Sequence, residues 1–220
     1  MSAFVVAIDG PAGSGKSSVS KQLARQLGFG YLDTGAAYRA LAWSVLQGQF
    51  ELTELEIADL DARFAYAISL DADDFWVRVG ETDVTAAIRE PQVAEFVSQV
   101  ARIPEVRTFM KDLSHRLVAG SGKVAVVVEG RDITTVVAPD APIRLLLTAS
   151  EAVRLKRRSA ELSESSAASV MRQVSERDAS DSKVVDFMTP APGVQLVDTS
   201  DLNFNQSVSA VIALIEQGLS

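Results

Sequence analysis

The chain has 220 residues, 47% of them hydrophobic and 23% charged, with no cysteine. That length suits one domain with room for a small subdomain, the composition argues against disorder, and disulfides and thiolate zinc sites are excluded. A formal net charge of −8 disfavours a sequence-independent grip on DNA or RNA, which needs a basic surface, and no membrane partner is expected.

Residues 4–8, Phe-Val-Val-Ala-Ile, are continuously apolar, as in a strand buried on both faces of a parallel sheet. No basic n-region or cleavage site precedes them, and no apolar run approaches the ~20 residues of a membrane span, so a cytoplasmic protein is expected. A Gly-rich turn follows at once. Val19, Leu23 and Leu27 then recur every four residues, predicting one face of a helix that stops at Gly28. A short strand at 29–32 opens into DTGAAYRALAWSVL, where Thr34 is a candidate helix cap. Between about 60 and 105 the rhythm changes. FAYAISL, DADD, FWVRV and GETDVT alternate and turn as an antiparallel meander does, predicting an inserted subdomain. Strands return at VAVVV (124–128), ending in EGRD, and at IRLLL (143–147), followed by TASEAVRLKRR. VQLV (194–197) precedes a last helix with Val208, Val211, Ile212 and Ile215 on one face. SAELSESSAAS, 159–169, is rich in small polar residues and reads as a mobile lid.

Strands alternating with helices predict the α/β class, with a five-stranded, right-handed, doubly wound parallel sheet flanked by helices. The expected organisation is a single domain, 1–220, with a core of about 1–58 and 108–220, an insert of about 59–107 and a lid of about 154–183.

The loop Gly10-Pro11-Ala12-Gly13-Ser14-Gly15-Lys16-Ser17, with Ser18 after it, fits G-x-x-x-x-G-K-[ST] between a strand and a helix. Its glycines let backbone N–H groups turn around phosphate oxygens, and the helix start adds positive charge. Lys16 reaches the outer phosphates and the Ser17 hydroxyl is a magnesium ligand. This pattern predicts a bound nucleoside triphosphate. A GTPase switch would need N-K-x-D and D-x-x-G segments, and neither is present. An energy-coupling ATPase would use an acid at a strand end, where Glu129 stands as a candidate magnesium holder, yet so short a chain has little machinery to drive. A small-molecule kinase remains, its acceptor at the ends of the same strands.

Three clusters point to a phosphorylated acceptor. They are the helix start at LDTGAAYR with Arg39, the strand tip at EGRD with Arg131, and the lid region with Arg154, Lys156, Arg157, Arg158, Arg172 and Arg177. Each by itself is equally the pattern of a solvated charged face. Two sets of phosphates brought together concentrate negative charge, and their transfer calls for several Arg forks plus magnesium.

In order, DGPAGSGKSS, YLDTGAAYRALA, SQVARIPEVR (98–107), VEGRDITTVVAPDA (128–141) and ERDASDS (176–182) resemble the bacterial cytidylate kinase family over nearly the whole chain. The resemblance implies a P-loop nucleoside monophosphate kinase that uses Mg-ATP and CMP or dCMP, with the insert holding the monophosphate. It places Ser98, Arg107 and Asp132 beside the base, Thr34, Arg39 and Arg131 on the acceptor phosphate, and Arg177 and Asp181 at the sugar. Lys16, Arg131, Arg154, Arg157 and Arg158 become the candidates for neutralising the transferring group. A carboxylate such as Asp132 accepts from the exocyclic amine of cytosine and repels the carbonyl of uracil, although a helix-capping role fits the same residue.

Three positions depart from the family pattern. Glu129 stands where an Asp is frequent, Thr135 where a Gly is frequent, and Val184, preceded by Lys183, where a basic residue is expected. Alternatives left open are a P-loop kinase for UMP or AMP and an ATPase or nucleotide-sensing module. A monomer is expected. The only histidine, His115, has no catalytic partner at motif spacing, Trp43 and Trp76 suit packing, and DADD (71–74) suits a turn.

Overall fold

The computed structural model describes residues 3–53, 59–161 and 186–219. In chain order the strands are β1 (Phe4–Asp9), β2 (Gly30–Asp33), β3 (Tyr66–Ile68), β4 (Val77–Val79), β5 (Thr82–Asp83), β6 (Ala125–Gly130), β7 (Ile143–Thr148) and β8 (Gln195–Asp198). The α-helices are α1 (Lys16–Leu27), α2 (Thr34–Leu46), α3 (Leu60–Arg63), α4 (Pro91–Ala101), α5 (Pro104–Ala119), α6 (Glu151–Glu161) and α7 (Phe204–Gly218). Five strands form one parallel sheet in the order β2-β6-β1-β7-β8, as the alternating pattern predicts.

Alternation along the central strands explains why this sheet carries helices on both faces. Val6 and Ile8 of β1 and Val127 of β6 pack with Val19 and Leu23 of α1 and with Val208, Val211 and Ile215 of α7. Ala7, Val126 and Val128 point the other way, into a second core with Ala40 and Leu41 of α2, Val93 and Val100 of α4, and Val106 and Met110 of α5. Every residue from Val6 to Ile8 is fully buried, so a strand that must be apolar at each position can only be internal.

The insert is a three-stranded antiparallel sheet, β3-β4-β5, in the register Ile68↔Val77 and Val79↔Thr82. It ends earlier than the expected meander. Beyond Asp83 a 3-10 turn (Ala87–Arg89) leads into α4 and α5, each started by a proline at its first helical position, Pro91 and Pro104. Ile68, Val77, Val84 and Ile88 join the same buried cluster as α2 and the sheet. DADD is a turn: Asp71 accepts from the Asp73 backbone N–H, and Asp73 pairs with Arg25 at 2.6 Å.

β2 and β6 lie on one side of β1, and β7 and β8 on the other. Connections therefore diverge at the carboxyl end of β1, which is where open α/β sheets collect their ligands.

Candidate active site

Register brings the sequence motifs to one edge. Asp9 pairs with Gly130, and Asp33 pairs with Glu129, so the phosphate loop, the start of α2 and the EGRD stretch leave three adjacent strands at the same level. Asp9 ties two of them together. Its carboxylate accepts from the Ile133 and Thr134 N–H groups and the Thr134 hydroxyl at 2.9, 2.8 and 2.7 Å. Burial pushes the Asp9 carboxyl above its ordinary value, against the pull of those Thr134 and Ile133 bonds.

The loop Gly10–Ser17 admits no side chain at two of its glycines. A Cβ on Gly10 would lie 2.1 Å from the Leu147 carbonyl oxygen, and one on Gly13, at φ +74°, would lie 2.6 Å from that of Arg154. α1 starts with no side-chain cap, which leaves its first N–H groups for an anion. The Ser14 hydroxyl is buried with no hydrogen-bond partner among the described residues. Ser17 and Ser18 are exposed at the helix start. The lysine is linked to the site electrostatically: Lys16 is among the cations that depress the Asp33 carboxyl.

Basic residues of α6 close over this loop. Arg154 donates to the Ala12 carbonyl at 3.0 Å, and Arg157 to that of Ser14 at 3.1 Å. Arg157 also donates to the hydroxyl and carbonyl of Thr199, bracing the loop against the end of β8. Arg158 lies on the same helix. Arg172, Arg177, Asp181, Lys183 and Val184 lie outside the described residues.

The cap of α2 differs from expectation. The carboxylate of Asp33, one residue before the helix, accepts from the Ala36 N–H, while the Thr34 hydroxyl donates to the Glu129 carbonyl at 2.8 Å. Asp33 also holds Arg39 at 2.6 Å, in a pair whose side chains are each 11% exposed. Burial alone would raise the Asp33 carboxyl, but the Arg39 guanidinium outweighs it and holds the group below its ordinary range. Arg39 Nε is buried with no hydrogen-bond partner among the described residues.

On the β6 side, Arg131 donates to the Gly10 carbonyl at 2.8 Å. Arg107 pairs with Asp132 at 2.7 Å, with side chains 24% and 15% exposed. Asp132 precedes a π-helical turn, Ile133–Val137, and makes no side-chain cap bond to it. Ser98 is half-buried on α4.

Three residues of this site escape a motif search. Tyr31, 1% exposed, donates to Glu129 Oε1 at 2.6 Å, while Glu129 Oε2 is buried with no hydrogen-bond partner among the described residues. Tyr38 feels the Asp132 charge; burial first, and then that carboxylate, push its phenol well above its ordinary value. Phe187 lies 4.4 Å below the Arg131 guanidinium. Apolar periodicity marks Tyr31 as core, and no spacing rule marks the other two.

A family model described as cytidylate kinase matches residues 6–217. The chain is 42% identical over 217 residues to the cytidylate kinase of Streptomyces avermitilis, covering 98% of this chain and 94% of that protein. It is 44% identical over 218 residues to the cytidylate kinase of Cutibacterium acnes, covering 97% and 96%. Among solved structures, an uncharacterized protein from Eubacterium ventriosum matches 97% of this chain and 98% of its own with a TM-score of 0.53 at 13% identity, a likeness of fold alone. With the match running from the middle of β1 to the last turn of α7, the chain belongs to the cytidylate kinase family.

Proposed function

We propose that this chain transfers the γ-phosphoryl group of ATP to CMP or dCMP, giving ADP and CDP or dCDP. The observation that carries this reading is the Arg107–Asp132 pair, set one residue from Arg131, which is itself bonded to the donor loop. Arg131 thereby joins donor and acceptor halves. Asp132 accepts from the exocyclic amine of cytosine. Arg107 spends one N–H on Asp132 and keeps others for the ring nitrogen and carbonyl, with Ser98 beside them. Thr34, Arg39 and Arg131 hold the acceptor phosphate, and Arg177 and Asp181 meet the sugar. In this reading 59–107 is the acceptor-binding insert and about 154–183 the lid.

No general base is required. The second pKa of a phosphate monoester is about 6, so the attacking oxygen is already ionised at neutral pH. That oxygen bonds to the γ-phosphorus as the bridging bond to the β-phosphate breaks, and ADP leaves with the electron pair. Lys16, with Arg154, Arg157 and Arg158 of α6, neutralises the charge that spreads over the transferring oxygens. Gly10–Ser18 cradles the triphosphate. Magnesium fits here: the orphaned, buried Glu129 Oε2 and the exposed Ser17 hydroxyl are the residues that would hold it, with the phosphates as further ligands. When bound, it screens the β- and γ-oxygens.

The protein is read as a cytoplasmic monomer acting on free nucleotides; among the described residues no helix is long and apolar enough to cross a membrane. The test is turnover of Lys16→Ala and Arg131→Ala. Each should lose roughly a hundredfold or more. Wild-type turnover by Lys16→Ala would refute the reading.

A further inference from the structure

Phe187 is one of the largest fully buried side chains, 1% exposed, and among the described residues it is not part of either hydrophobic cluster of the sheet. Its chain neighbours are exposed, Met188 by 48%. Among the described residues the Phe187 ring is in contact with Arg131, whose guanidinium carbon stands 4.4 Å from the ring centroid. The turn that presents the ring is stapled: the Asp186 carboxylate accepts from the Met188 and Thr189 N–H groups at 2.9 and 3.1 Å. Those bonds hold the Asp186 carboxyl below its ordinary value.

We infer that Phe187 is a positioning residue for Arg131, and through it a determinant of acceptor affinity. This rests on the reading of Arg131 as a ligand of the acceptor phosphate. One edge of the guanidinium is fixed by the Gly10 carbonyl, and one face by the Phe187 ring. A planar cation held at an edge and a face has lost the freedom to swing, so less entropy is lost when a phosphate binds it. The ring also excludes water from that face, which strengthens the charge interaction on the other side. Phe187 lies just beyond the stretch 162–185, so Arg131 is tied to the chain that leaves the proposed lid.

The experiment compares Phe187→Leu, which keeps bulk but removes the π face, with Phe187→Trp, which keeps it. ATP affinity is measured by titration with a non-hydrolysable analogue, and kcat/KM for CMP at saturating ATP. Phe187→Leu should lower kcat/KM for CMP by roughly 5- to 30-fold with ATP affinity within twofold, and Phe187→Trp should retain most of the activity, as expected for a partly desolvated cation-π contact. In an Arg131→Lys background the same Leu substitution should cost far less, because an ammonium cannot stack as a plane. Wild-type kinetics in Phe187→Leu, an equal loss in ATP affinity, an equal loss in Phe187→Trp, or an undiminished cost in the Arg131→Lys background would overturn the inference. Arg131→Ala separates the two claims. If that variant has wild-type activity the reading of Arg131 fails; if it is impaired while Phe187→Leu is not, only the role of Phe187 fails.

Discussion

At the scale of single residues, the proposed selectivity rests on one charged pair, Asp132 and Arg107, which meet at 2.7 Å. Asp132→Asn should weaken selection against UMP, with the ratio of kcat/KM for CMP to UMP falling about tenfold or more, whereas an unchanged ratio would remove Asp132 as base reader. Tyr31 carries a second expectation. Its hydroxyl supplies the 2.6 Å bond to a carboxylate that is otherwise sealed from water, so Tyr31→Phe should lower stability by roughly 1–3 kcal/mol in denaturant titration. Lys16 was read from the spacing of the phosphate loop, Arg131 from its place at a strand tip, and Asp132 from the family resemblance. Tyr31 and Phe187 were not singled out, because each meets a partner far along the chain, 98 residues away for Tyr31, and packing alone brings such partners together.

Among elements, the parallel strands were legible wherever burial on both faces forced an unbroken apolar run. β6 was expected at 124–128 and forms at Ala125–Gly130, because its pairing with β1 and β2 extends through Glu129 and Gly130 into the site. The insert was legible only in part. Alternation identified Tyr66–Asp83, while Pro91 and Pro104, which start α4 and α5, were not read as helix signals. Thr34 was read as a cap when the adjacent Asp33 does that work, since two residues with capping side chains stand side by side. The contact between the phosphate loop and α6 is a property of elements too. With 2.6 Å between an added Cβ and the Arg154 carbonyl, at a φ of +74°, Gly13→Ala should force the loop and α6 apart. Melting and nucleotide titration should show a loss of about 1–3 kcal/mol in stability and at least a tenfold loss in ATP affinity. Wild-type affinity would show that the loop does not depend on that approach.

For the molecule as a whole, the site's charges also shape stability against pH. Asp33 has a folded pKa below its ordinary value, because Arg39 outweighs the burial that would raise it. Its stabilisation is therefore complete above the unfolded value of about 4 and is lost as pH falls through the folded one. Asp33→Asn keeps a capping oxygen and removes the charge, so the stability gap between wild type and variant should be constant above about pH 5 and close in stronger acid. A gap that stays constant into strong acid would contradict the ion pair. The larger claim is that a donor loop at β1 and an acceptor pocket at β2 and β6 form one two-nucleotide machine. Release of ADP from ATP, followed with CMP, dCMP, UMP, AMP and GMP in turn and with no acceptor, tests it most directly. Rapid release with CMP and dCMP, little with the others and almost none without an acceptor is the predicted result; preference for another monophosphate, or hydrolysis that needs no acceptor, would contradict it.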